Sequence, residues 1–115
     1  MGLVGVAPLS IGIEPSRLVD RLVGREFAYL VTAGSERSHV VALRCEVSGD
    51  RVTMSGAGRS ASANIAANAR VTLVWPPTLH DVENRNYSVI ADGLASMNDD
   101  DVVVVIGSAV FHRPA

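Results

Sequence analysis

Short β-type runs, mostly separated by turns too brief for a crossover, constrain this chain most. Phe27–Thr32, His39–Val47, Arg51–Ser55, Arg70–Trp75, Tyr87–Met97 and Val102–His112 are rich in β-branched and aromatic residues or alternate apolar with polar. The glycine-bearing turns Ala33–Arg37 and Ser48-Gly49-Asp50 and the acidic turn Asn98–Asp101 join neighbouring runs. Parallel strands need a connection of a dozen residues or more, so these neighbours must pair antiparallel. Two short helices are expected, over Pro15–Val23 and Ser62–Ala69, with Ser60 or Ser62 as N-cap of the second. The fold this implies is mainly β: a six-stranded antiparallel barrel with little helical cover.

The faces of two runs carry further information. In His39–Val47, Val41, Leu43, Cys45 and Val47 share one side, and Val40, Ala42, Arg44 and Glu46 the other. The first side is core, and Arg44 on the second needs an anion, a carboxylate or water. Val102–His112 is apolar on both sides, so one side faces the barrel interior and the other needs a cover. A second copy of the chain is the simplest cover. Asp92-Gly93 interrupts an apolar strand and is read as a bulge, or Asp92 as an arginine's partner.

Composition excludes several classes. At 115 residues the chain holds one domain, 1–115, with 1–13 as an arm reaching over a partner subunit. Ten basic residues against twelve acidic give no reason to expect a nucleic acid or an anionic membrane as partner. All ten basic residues are arginine, so Schiff-base and P-loop lysine chemistry is absent. The single cysteine, Cys45, forbids an internal disulfide and reads as a buried thiol in a reducing cytoplasm. No apolar run approaches the roughly 20 residues a membrane helix needs. His39, His80 and His112 lack ligand spacing, so no metal is expected. The polar stretch with His80, Asp81 and Glu83 reads as a solvated loop. No catalytic acid–base set or nucleophile elbow is present.

One stretch stands above this background. Residues 55–62, Ser-Gly-Ala-Gly-Arg-Ser-Ala-Ser, lead from a strand into a helix. Backbone N–H groups at a helix start, beside small hydroxyl residues and Arg59, form an anion cradle. Thr53 and Ser55 lie opposite Val52 and Met54, as Arg44 lies opposite Leu43. Arg44, Ser55 and Arg59 are therefore expected to converge on one anion.

The run from Gly58 to Val74, Gly-Arg-Ser-Ala-Ser-Ala-Asn-Ile-Ala-Ala-Asn-Ala-Arg-Val-Thr-Leu-Val, resembles the helix and following strand of the pyridoxamine 5′-phosphate oxidase-like flavin-binding proteins. Phe27–Thr32, His39–Arg44, Gly49-Asp50, Val52–Ser55 and the closing Ala109–Pro114 follow that family's order. The resemblance spans about residues 26–113 and implies a homodimeric split β-barrel with FMN or a deazaflavin between the subunits. By position it assigns the phosphate to Arg44, Ser55, and Ser60 with Ala61; Arg59 and Ser62 of the same loop would help hold it, and Thr53 shares a face with Ser55. Trp75, or Tyr87 of the partner subunit, would pack near the ring. The family's helix-entry Arg-Lys is replaced here by Ser60-Ala61, and its Asn-Pro by Asn68-Ala69. The function implied is a flavin- or deazaflavin-dependent oxidoreductase, though not the vitamin B6 oxidase itself, whose extra C-terminal segment is missing. The alternative is a non-catalytic or cofactor-free binder on the same fold.

Overall fold

In the computed structural model, which describes residues 7–115, the expected turns close antiparallel hairpins. The strands are β1 (Ser10–Ile13), β2 (Phe27–Ala33), β3 (Ser38–Arg44), β4 (Glu46–Ser48), β5 (Arg51–Ser55), β6 (Arg70–Trp75), β7 (Ser88–Asn98) and β8 (Asp101–His112). Gly49, at φ 60°, turns β4 into β5, and Asp99, at φ 53°, turns β7 into β8. Both are backbone conformations that glycine and aspartate tolerate best.

The strand order is β3-β2-β6-β7-β8-β5-β4, every neighbouring pair antiparallel. The two ends of that order, β3 and β4, are consecutive in the chain and joined at Cys45. The expected single strand His39–Val47 is therefore two, because it leaves β2 and swings across to β5. This bend curls the sheet into a barrel.

The count of eight strands against the expected six comes from that break and from β1. Ser10–Ile13 pairs with Ala109–His112 of its own chain, on the edge of β8 beyond the segment paired to β5. Residues 10–13 are therefore a strand of the barrel rather than part of an arm. The first six residues of the expected arm lie outside the described residues. The Tyr87 hydroxyl donates to the Pro8 carbonyl at 2.7 Å, and the Arg113 guanidinium donates to the Ala7 carbonyl.

The interior is filled by alternate residues of each strand. Leu30, Val52, Met54, Leu73, Trp75, Val89, Val102 and Val104 are all fully buried. Burying each large side chain is worth about 1.5–3 kcal/mol. Val41, Leu43, Cys45 and Val47 pack against this cluster from one side of β3 and β4, as their alternation predicts. On β8, Val102, Val104 and Ile106 face inward, and Val105 on the outer side is 42% exposed.

The helices differ from expectation at their ends. The first is a 3-10 turn, Pro15–Arg17, running into α1 (Leu18–Arg21), which buries Leu18. The second, α2 (Gly58–Ala67), starts four residues before Ser62 and places Ala61 and Ile65 in the core. Gly56 and Gly58, at φ 81° and 88°, turn the chain early. Ser60 and Ser62 thus lie inside the helix and cannot cap it, and the Ser62 hydroxyl donates back to the Gly58 carbonyl at 2.8 Å. Among the described residues no helix is long and apolar enough to cross a membrane.

The bulge expected at Asp92-Gly93 is present as a register shift in the β7–β8 ladder. Asp92 is held by the Thr72 hydroxyl at 2.6 Å rather than by an arginine. A Cβ on Gly93 would run into the carbonyl oxygen of Val105, so the close approach of the two strands there requires glycine.

Candidate functional site

The helix entry opens a surface cavity. Ser55, at the end of β5, and Gly56, Ala57, Gly58, Arg59 and Ser62 line a space of about 660 Å3. No side chain caps α2, whose first turn carries unpaired N–H groups. Ser55, Arg59 and Ser62 thus share one cavity, whereas Arg44, expected to converge with Ser55 and Arg59, is not among the residues lining it. Ser60 is exposed on the same turn, and Thr53 is half-buried two residues before Ser55.

The opposite wall was not legible as part of a site. Met97, Asp99 and Asp100 of the β7–β8 turn complete the cavity, and the Ser55 hydroxyl donates to the Asp101 carboxylate. Register explains the encounter, because Ser55 pairs with Asp101 across the β5–β8 ladder. The acidic turn therefore hangs beside the helix entry, and its carboxylates oppose an anion there at short range.

Arg44 stands apart from that cavity. It ends β3, across from Phe27, and its guanidinium donates to Glu26 at 3.2 Å with both side chains largely exposed. Its carboxylate partner is thus Glu26. It lines a second space of about 530 Å3 with Glu26, Phe27, Tyr29, Ala42 and Leu43. β3 and β5 approach each other where the barrel closes, so this second space and the helix entry flank the same seam.

Two aromatic expectations meet the core instead. Trp75 is fully buried, with its indole N–H lacking a partner, and is closed off from either surface cavity. Tyr87 is buried against Phe111, ring centroids 5.9 Å apart, and its hydroxyl is taken by Pro8. Cys45 is half-buried, and burial pushes its thiol from 9.0 up to about 11, against a smaller opposing pull from the Ala28 backbone. That keeps it protonated and poorly nucleophilic near neutral pH. Among the described residues no group of three or more histidine, cysteine, aspartate or glutamate side chains can hold a metal.

The sequence also hid a buried ion pair. Asp81, in the connection read as a solvated loop, is only 7% exposed and is held by Arg25. All five N–H donors of Arg25 are used: two to Asp81 Oδ2, and one each to the carbonyls of Pro76, Asn84 and Tyr87. The guanidinium carbon also lies 5.8 Å from the Phe111 ring centroid. The 76–87 connection is therefore pinned to the barrel.

Comparison with known proteins places this arrangement. No family model matches the sequence. "Uncharacterized protein Mb0449c" of Mycobacterium bovis and "Uncharacterized protein MT0457" of Mycobacterium tuberculosis are each 32% identical over 120 aligned positions, covering 90% of this chain and 82% of theirs. Among solved structures, a FAD-binding protein from Mesorhizobium loti superposes with a TM-score of 0.67 at 14% identity, over 90% of this chain and 99% of its own. The FAD binding protein from Mycobacterium smegmatis gives 0.60 at 16% identity over 90% and 99%. A putative pyridoxamine 5′-phosphate oxidase from Listeria innocua gives 0.59 at 13% identity over 82% and 92%. The chain belongs to one family with the two mycobacterial proteins, and its barrel is the split β-barrel of the pyridoxamine 5′-phosphate oxidase-like proteins.

Proposed function

We propose that the chain binds a flavin-type cofactor, FMN or a deazaflavin, along the seam between the helix entry and Arg44, and serves as an oxidoreductase. The observation that carries this reading is the cavity built from Ser55, Gly56, Gly58 and Arg59 around the uncapped first turn of α2. The residues fit an anionic phosphate: unpaired helix N–H groups and Arg59 within the cavity, and Arg44 at the seam beside it. Ser55 joins them once its hydroxyl leaves Asp101. The bound ring would supply the hydride chemistry. The protein's part is to hold and orient it, so the absence of an acid–base set does not count against catalysis.

The same reading includes a homodimer. Val40, Leu94 and Val105 are exposed on the outside of the barrel, and a second copy would cover them. Sedimentation velocity tests this: a dimer at micromolar concentration is expected, and a monomer would remove the partner from the account.

A second reading, a non-catalytic binder of a less charged ligand, has its own support. Asp99 and Asp100 line the cavity and Asp101 already occupies Ser55, while the helix entry reads Ser60-Ala61. Titration of the purified protein with FMN and with a deazaflavin, followed by flavin fluorescence, separates the two. Saturable micromolar binding supports the cofactor reading, and no binding of either supports the second.

A further inference from the structure

The chain has five aromatic residues, and three of them, Trp75, Tyr87 and Phe111, are buried. The other two, Phe27 and Tyr29, are 37% and 40% exposed on the same outer face of β2. Their rings meet edge to face, centroids 5.6 Å apart at 81°. Offset stacking of a further ring on such a pair is a favoured aromatic geometry.

The residues across the ladder shape the space beside them. Tyr29 pairs with Ala42, whose small side chain leaves room next to the phenol, and Phe27 pairs with Arg44. Together with Glu26 and Leu43 they line the cavity of about 530 Å3. A second space, of about 480 Å3, shares Glu26 and Phe27 and continues to Pro77, Thr78 and His80. The ion pair of Arg44 with Glu26 is exposed and of little worth, so the guanidinium can exchange it for a ligand anion.

We infer that Phe27 and Tyr29 form the platform on which a planar aromatic ring stacks, with the anionic part of the same ligand at Arg44. The inference rests on the cofactor reading and deepens it: phosphate and ring would lie on opposite sides of Arg44. It also moves the ring from Trp75, where the sequence pointed, to β2.

The test uses two probes, FMN and lumiflavin, the latter carrying the ring without the phosphate. Tyr29→Leu and Phe27→Leu keep apolar bulk at exposed positions and remove the aromatic face. Each is expected to weaken both probes by about two- to tenfold. Tyr29→Phe and Phe27→Tyr should restore binding, and Arg59→Ala should weaken FMN alone. If FMN binds and the leucine variants match the wild type, the platform is overturned and the cofactor reading stands. If lumiflavin binds, FMN does not, and the leucine variants weaken lumiflavin, the platform stands and the phosphate assignment falls; if they leave lumiflavin unchanged, the platform falls as well. If neither binds, both fall.

Discussion

Arg25 Nη2 lies 2.9 Å from Asp81 Oδ2, with the arginine side chain fully buried and the aspartate nearly so, across 56 residues of sequence. A buried pair of this kind is costly to break, because one charge is left without its partner in a dry site. Arg25→Met or Asp81→Ala should lower unfolding free energy by about 3–5 kcal/mol. The double variant should lose less than the sum of the two. Urea denaturation of the three proteins measures this directly.

Gly93 predicts a backbone effect of a different origin. Gly93→Ala places a methyl against the Val105 carbonyl and close to the Val104 side chain, on a bulge that cannot shift without breaking the β7–β8 register. Loss of about 2 kcal/mol or more is expected, within the range of overpacked sites. Gly49→Ala meets open space but a positive φ, and should cost only about 1 kcal/mol. Thermal melting of both variants ranks them.

The Cys45 thiol, raised to about 11, should resist alkylation in the folded protein. Its iodoacetamide reaction should rise about tenfold per pH unit between pH 8 and 10, with no plateau until the thiol ionises. The linkage follows from the direction of the shift. Folding favours the protonated thiol, so its contribution is complete below the unfolded pKa of about 8.5–9 and is lost as pH climbs towards 11. A plateau near pH 8.5 would show that the thiol is wet.

The acidic turn should tune the anion site. Asp100→Asn removes a carboxylate from the cavity wall and should tighten FMN binding, more at low salt than at high. Arg59→Ala should weaken it by about ten- to a hundredfold, the loss of one charge-assisted hydrogen bond. Calorimetry at two ionic strengths reads both effects.

What could be read from the sequence was local. The alternation Val52, Met54 against Thr53, Ser55 assigns the two faces of β5, and Asp92-Gly93 marks the bulge, because each depends on neighbours in the chain. The break at Cys45 was not legible: residues 39–47 alternate without interruption, and only barrel closure makes the strand change partners. Asp81 looked solvated since its partner is 56 residues away. The helix entry was legible as Ser55, Arg59 and Ser62, but its acidic wall was hidden. Asp99 and Asp100 reach it only through the β5–β8 register. Trp75 misled because an indole at a strand end suits a ligand ring as well as a core.

The most direct test is backbone amide chemical-shift mapping of the 15N-labelled protein on addition of FMN. Saturable shifts are expected at Gly56–Ser62, Arg44, Phe27 and Tyr29. Shifts that leave Gly56–Ser62 and Arg44 untouched, or none at millimolar FMN, would contradict a cofactor site at the helix entry.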